Sequence, residues 1–489
     1  MSPLTLGRHD SWERVRVVVA GFGVTGFAAA DTLTHLGASV VALGETESAA
    51  MAERAQLLGI LGADVRLGPG STATLPDPER VDVLVTSPGF RPDAPLLAQA
   101  RARAIPIWGE VELAWRLRDP DRPAPWLAVT GTNGKTTTVQ MLDSILHAAG
   151  LRTAAVGNVG RPIVEAVMDP DPYDVFAVEL SSFQLHYADS VRAESAAVLN
   201  VAKDHLDWYS SRRDYGADKG RVYRGVQRAC VYNVSDPTTE DLVREAEVTE
   251  GARAIGFTLG VPSVGMVGLV DDVLADRAFI EERHHSAAEL CTVADLHGGD
   301  APPPHLVANA LAAAALARAH GVSQQAVRDG LRAFRLDGHR ISVVAQIDKR
   351  SYVDDSKATN PHAAQASLQA YDPVVWIAGG LAKGAGFDDL VRSVGHRLRG
   401  VVLLGRDRDV IAAALSRHAP DVPVITVTDG ETGTPMERAV TAATGLSQPG
   451  DTVLLAPGCA SMDMFTDYGE RGEAFVAAVR RIGRTDRPD

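Results

Sequence analysis

The chain has 489 residues, 45% hydrophobic and 22% charged, a balance that excludes disorder over most of its length and leaves room for two to four domains. Acidic residues outnumber basic ones 62 to 48, giving a net charge of −14 with no lysine/arginine block, which argues against a dedicated nucleic-acid binder. No apolar run approaches the roughly 18 uninterrupted residues of a membrane span, and the opening MSPLTLGRHDSWERVR has no apolar core, so no membrane association is expected.

In chain order, the strand-like runs VRVVVA, SVVAL, VDVLVTSPG, WLAVTG, VFAVELSS, AAVLNV, VVWIAGG, VVLLG and VLLAPG alternate with alanine-rich helical segments. Short apolar runs that end in glycine or a polar turn and lead into helical periodicity predict βαβ units, so the fold class is α/β with mainly parallel sheets. Residues 119–125 pack three prolines ahead of a new strand and read as a linker. A second break falls near residues 335–338, after the helix SQQAVRDGLRAF and before the strand ISVVAQI. Three domains are therefore expected, over residues 1–118, 119–336 and 337–489. The less patterned stretch 235–304 reads as a peripheral elaboration of the middle domain. Cys230, Cys291 and Cys459 lie far apart with no CxxC pair, which suits a reducing cytoplasm.

Two glycine clusters carry chemistry. Gly21, Gly23 and Gly26 form GxGxxG after the first strand, where a tight turn and a helix N-terminus suit a diphosphate. Taken alone, that motif is also what a simple strand–helix packing turn would show. A nicotinamide cofactor would usually want an acid closing the next strand; Gly44 stands there, with Glu45 just beyond it. The second cluster, WLAVTGTNGKTTTVQML, runs a strand into residues 131–137 and on into a helix. Backbone amides of such a loop cradle phosphates, Lys135 supplies a point charge, and Thr136 can ligate Mg²⁺. Val129 occupies the place of the first glycine in the common GxxxxGK[ST] spacing. The loop reads as an ATP site. Glu179, ending the strand YDVFAVEL, offers a hard oxygen to a divalent cation.

Further motifs follow in a fixed order: SPG at 87–89, GNVG around Asn158, ELSSFQL at 179–185, NVAKDHLDWY, Lys219, HLVANAL, GHR, DDSKATNP at 354–361, Lys383 after a glycine pair, and PGCASMDMF. With GFGVTG and GTNGKTT they resemble, over nearly the whole chain, the Mur ligase superfamily, which includes folylpolyglutamate synthases. DSKATNP resembles the branch that adds D-glutamate to UDP-N-acetylmuramoyl-L-alanine.

That resemblance implies a Rossmann-like N-terminal domain for the UDP-substrate, a central ATP-binding domain and a Rossmann-like C-terminal domain for the amino acid. It implies ATP-dependent amide formation through an acyl phosphate, in cytoplasmic peptidoglycan precursor synthesis, with two Mg²⁺ ions. Domain closure would shield the acyl phosphate from water. By residue, it implies ATP contacts at Gly131, Thr132, Asn133, Gly134, Lys135, Thr136, Thr137, Asn309, Arg340 and Asp355. UDP-substrate contacts fall on Val24, Thr25, Ser87, Asn158, Ser181 and His205. D-glutamate contacts fall on Lys357, Thr359, Lys383, Ser461 and Tyr468, the last standing where the family has phenylalanine. Metal ligands would be Thr136, Glu179, His205 and Lys219, and the catalytic residues Lys135, His205 and Lys219. The family pattern makes Lys219 a carbamate formed with CO₂. It also implies a monomer, with neither nucleic acid nor membrane as partner.

Three other readings stay open on the sequence. One is a sister ligase for another amino acid, which DSKATNP argues against. A nicotinamide-dependent oxidoreductase would leave the second glycine loop without a role. A nucleotide-sensing regulator without turnover would not need Lys135, Glu179, His205 and Lys219 together.

Overall fold

β-branched, apolar runs bounded by glycine become strands of three sheets in a computed structural model that describes residues 5–205, 208–296, 302–335, 338, 341–427 and 433–485. The first sheet holds β1 (Arg16–Ala20), β2 (Ser39–Gly44), β3 (Asp64–Leu67), β4 (Val83–Thr86) and β5 (Ile107–Gly109), all parallel in the order β3-β2-β1-β4-β5. The second holds β6 (Trp126–Thr130), β7 (Thr153–Gly157), β8 (Val175–Glu179), β9 (Ser195–Val198), β10 (Ala229–Asn233), β11 (Arg253–Phe257), β12 (Met266–Val270), β13 (Val273–Asp276) and β14 (Ala288–Thr292). Its order is β14-β13-β12-β11-β10-β9-β6-β8-β7. The third holds β15 (Ser342–Ile347), β16 (Arg350–Asp354), β17 (Val374–Gly379), β18 (Leu398–Leu404), β19 (Val424–Thr426) and β20 (Thr452–Leu455), in the order β15-β16-β20-β17-β18-β19.

The α/β expectation is met. Within the stretch 235–304, read as a peripheral elaboration of the middle domain, β11 pairs in parallel with β10 and β12 with β11, and β13 and β14 add antiparallel, so these strands extend the central sheet to its edge. These strands are four or five residues long, β11 and β12 carrying a glycine and β13 and β14 an acidic residue, so no long apolar run announced them.

The chain divides into two compact units, one comprising Met1–Val201 and Arg213–Phe334, the other Ala202–Arg212 and Arg335–Asp489. In the second unit β17 shows why such strands read as unbroken hydrophobic runs. Val374, Trp376 and Ala378 bury on one face of the sheet, and Val375 and Ile377 on the other.

The first unit contains both the first and the second sheet, joined by two carboxylates of the helix Glu110–Arg116. Glu112, 1% exposed, accepts from Asp189 N (2.8 Å), Ser190 N (2.9 Å) and Ser190 Oγ (2.7 Å), while Arg116 Nε donates to it at 2.8 Å. Glu110 accepts from Val164 N at 2.7 Å, and its Oε2 is buried without a partner. Burial pushes the Glu110 carboxyl from 4.5 up to about 7, against the lowering effect of the Val164 and Ile163 amides.

Because the folded form holds the proton more tightly, this group's contribution is fully present below pH ~4.5 and is lost as pH rises through about 7. Glu110→Gln keeps a carbonyl acceptor and does not titrate. Its stability relative to the parent should therefore shift in its favour by up to ~3 kcal/mol between pH 5 and pH 8. Urea unfolding at the two pH values checks this; a pH-independent difference would contradict it.

Candidate active site

β6 lies between β8 and β9; the chain leaves β6 toward β7 on one side and leaves β9 toward β10 on the other, so the C-terminal ends of β6 and β9 form a topological switch point of the kind where α/β sheets bind ligands. Residues 131–134 turn there into the helix Lys135–Ala148. Gly134 caps it at φ +85, and a Cβ on Gly134 would lie 2.4 Å from Asn309 Oδ1, so only glycine lets the loop pass this close to Asn309. The end of β9 holds the loop. Thr132 N donates to Asn200 O (2.9 Å), Asn133 N to Asn200 Oδ1 (2.9 Å), and Asn200 Nδ2 to Asn133 O (3.1 Å). Lys135 folds back across the loop, its Nζ donating to Gly131 O at 3.0 Å and Thr132 O at 2.9 Å. Thr136 and Thr137 are buried in the first helical turn.

Glu179 ends β8 as the register partner of Val129, two residues ahead of Gly131. It is 1% exposed; its Oε1 accepts from Asn158 Nδ2 at 2.9 Å, and its Oε2 is buried with no hydrogen-bond partner. A buried carboxylate oxygen in that condition is costly, and a hard divalent cation is the group that satisfies it. The donor set therefore fits Mg²⁺. Lys219, on the helix Arg212–Gly220, is also 1% exposed; its Nζ donates to Gly131 O at 2.9 Å and lies 4.3 Å from the Tyr215 ring centroid. Tyr215 Oη in turn donates to Thr132 Oγ1 at 3.3 Å. The structure thus gathers the loop, Asn158, Glu179, Lys219 and Asn309 in the first unit. Ser181 caps the short helix Ser182–His186 that follows Glu179.

At the first glycine turn, the helix Val24–His35 opens with Val24 exposed and Thr25 part-buried. Ser87 Oγ is buried without a partner against this turn, where a Cβ on Gly21 would approach it to 2.4 Å. Glu45 is engaged elsewhere: Gly70 N (2.7 Å) and Thr72 Oγ1 (2.6 Å) donate to its carboxylate. The Gly70 amide, first among these bonds, holds its pKa below the ordinary value. Glu45 thereby fixes the loop after β3.

In the second unit, β16 runs into Asp355, Ser356 and Lys357, and Asn360 caps the helix Pro361–Leu368 by accepting from Ala363 N at 2.9 Å. Lys357 Nζ lies 4.9 Å from the Tyr468 ring centroid, and Ser356 Oγ donates to Tyr468 O at 2.7 Å. Thr359 N donates to Lys357 O at 2.9 Å, tightening the turn, and the buried Asp355 carboxylate accepts from Ser367 Oγ. Lys383 follows Gly380 and Leu381, and Leu381 bridges to Ala460, which precedes Ser461. His205, in the segment grouped with this unit, has φ +53 and donates from its backbone N to Asp204 Oδ1 at 2.9 Å. Arg340 lies outside the described residues.

Models of the Mur ligase middle domain and of the Mur ligase glutamate ligase domain match residues 129–317 and 339–459. A curated protein from Streptomyces avermitilis, UDP-N-acetylmuramoylalanine--D-glutamate ligase, is 59% identical over 97% of this chain and 99% of its own length. The chain belongs to the Mur ligase family. A protein of the same name from Leifsonia xyli subsp. xyli is 52% identical over 96% of the chain and 93% of that relative. The solved UDP-N-acetylmuramate-alanine ligase of Thermotoga maritima shares the fold, with a TM-score of 0.56 at 19% identity over 96% of this chain and 100% of that one.

Sequence reasoning missed one prominent residue of this Mur ligase. Arg471 is 2% exposed; its Nε donates to Ser356 Oγ (3.0 Å), Nη2 to Ser356 O (2.8 Å) and Nη1 to Cys459 O (3.1 Å). It ties the DSKATNP turn to the PGCAS loop, and burial pushes its pKa down to about 10. In YGERGEAFVAAVRR it reads as one more solvated cation of an amphipathic helix. Asn200 and Tyr215 escaped for a similar reason, since each acts on backbone or side chains far from it in sequence.

Proposed function

We propose that this Mur ligase uses ATP to join D-glutamate to UDP-N-acetylmuramoyl-L-alanine. The observation that carries the reading is a glycine loop that places Lys135 and the first helical turn beside a buried carboxylate oxygen lacking any partner, in a chain 59% identical to a protein named for that reaction. In the proposed assignment residues 1–118 take the UDP-substrate, 119–336 take ATP and 337–489 take the amino acid.

Amides of residues 131–137 and the Lys135 ammonium hold the ATP phosphates, and Asn309 contacts the adenine. Arg340 and Asp355 complete the nucleotide contacts. Thr136, Glu179, His205 and Lys219 would hold two Mg²⁺ ions, whose positive charge would offset that of the transferred phosphoryl group. For Lys219 the proposed form is a carbamate: the neutral amine attacks CO₂, a proton leaves, and an anion replaces a cation. The supporting feature is the burial of Lys219 beside the glycine loop, its Nζ 2.9 Å from Gly131 O. Val24, Thr25, Ser87, Asn158, Ser181 and His205 hold the UDP-substrate, the orphan Ser87 hydroxyl being the supporting feature. Lys357, Thr359, Lys383, Ser461 and Tyr468 fix the acceptor's carboxylates.

The L-alanyl carboxylate attacks the γ-phosphorus, and ADP leaves. The resulting acyl phosphate accepts the D-glutamate amine, loses a proton from nitrogen and expels phosphate. Positioning and charge stabilisation supply the rate, and no protein nucleophile is required.

A site that fixes two carboxylates and one amine accepts one hand of the amino acid. D-Glutamate should therefore support phosphate release and L-glutamate should not; equal rates with the two enantiomers would overturn the assignment.

A further inference from the structure

β18 ends at Leu404, and the chain turns through Gly405, Arg406 and Asp407 into the helix Arg408–His418. None of these residues is among the acceptor-site candidates, yet the turn is wedged against both loops that carry them. Gly405 has φ +83, and a Cβ there would meet Gly380 Cα at 2.6 Å and Asp463 Oδ2 at 2.8 Å. Asp407 N donates to Gly380 O at 3.0 Å, and Asp407 Oδ2 accepts from Ala382 N at 2.8 Å. From the other side, Asp463 Oδ2 accepts from Arg406 N at 2.7 Å. Leu381 and Ala460 exchange backbone bonds of 2.9 Å each, linking the Lys383 loop to the Ser461 loop.

Lys383 needs such support. It has φ +50, a left-handed conformation that a non-glycine residue holds only when its surroundings impose it. It is flanked by Gly379, Gly380 and Gly384, all at positive φ, so this segment has little conformational preference of its own. The two Asp407 bonds grip it at Gly380 and at Ala382, the residue immediately before Lys383. A carboxylate near a pocket for a dicarboxylate would repel it, so the acceptor oxygen is what the site requires of Asp407, and its charge is incidental.

We propose that Asp407 is a positioning residue for the amino-acid acceptor: it fixes the backbone that aims Lys383, and with Asp463 bracing the turn it holds Lys383 and Ser461 in register. This rests on the reading that Lys383 and Ser461 bind D-glutamate.

The test is steady-state kinetics with each substrate varied in turn, alongside thermal melting. Asp407→Ala should raise KM for D-glutamate about tenfold or more, with KM for ATP and for UDP-N-acetylmuramoyl-L-alanine within about twofold of the parent. Asp407→Asn, which keeps a carbonyl acceptor without the charge, should restore a near-parental KM for D-glutamate. Should the alanine variant fail to fold, Asp407→Ser, whose hydroxyl is too short to reach Ala382 N, gives the same reading. An unchanged D-glutamate KM, an equal rise for all three substrates, or an asparagine variant as impaired as alanine would overturn the positioning role alone. A parent enzyme without D-glutamate-dependent turnover would remove the functional reading and this inference together.

Discussion

Replacing Lys219 by alanine should lower turnover by orders of magnitude while the protein stays folded. A solvated lysine would behave otherwise, its loss changing stability by no more than about 0.5 kcal/mol and leaving activity nearly intact. Lys219 is not solvated: it is 1% exposed, with its Nζ on Gly131 O. If its working form is a carbamate that supports a divalent cation beside the phosphates, alanine removes an anion from the place where negative charge is transferred. Short carboxylic acids such as acetate should then recover part of the activity by occupying the vacated anion position. The recovery should depend on acid size, and chloride at matched ionic strength should give none. Parental activity in the alanine variant would disprove the role.

Glu179→Gln should show an equally large split between activity and stability. Glutamine keeps the length, and its carbonyl can still accept from Asn158 Nδ2, which bonds Glu179 Oε1 at 2.9 Å. What it loses is the negative charge and the free acceptor at Oε2, the atom buried without a partner. Losing a first ligand to a cation that stabilises phosphoryl transfer should cost roughly a hundredfold or more in rate. The melting temperature without Mg²⁺ should equal or exceed the parent's, because a buried unpaired charge has been removed. ADP release and a thermal melt on the same sample separate the two effects. A variant with parental turnover, or one whose inactivity follows from unfolding, would count against Glu179 as a metal ligand.

Much of the candidate site was legible because glycines and strand ends announce themselves locally. Gly131 and Gly134 are needed where the backbone takes φ +154 and +85, and those positions sit between an apolar strand and a helix in the sequence as in the fold. Glu179 was legible as the last residue of an apolar run. The supporting residues were not, because their partners lie far away in sequence. Glu110 caps Val164 across 54 residues and Arg471 grips Ser356 across 115, spacings with no periodic signature. Glu45 shows the opposite case: it stood near an expected acid position, yet its carboxylate is used by the Gly70–Thr72 backbone and side chain. The strands β12–β14 were missed because they are short and carry a glycine or polar residues, and successive pairing of β12 with β11, β13 with β12 and β14 with β13 supplies the order their own sequences lack.

The central claim, that this Mur ligase couples ATP to the addition of D-glutamate, is tested most directly by ADP release in the presence of UDP-N-acetylmuramoyl-L-alanine and Mg²⁺ with one amino acid supplied at a time. ADP should form with D-glutamate in an amount equal to the amide, and only background release should occur with L-alanine, L-lysine, diaminopimelate or no amino acid. Comparable ADP release with one of those, or with no acceptor present, would contradict it.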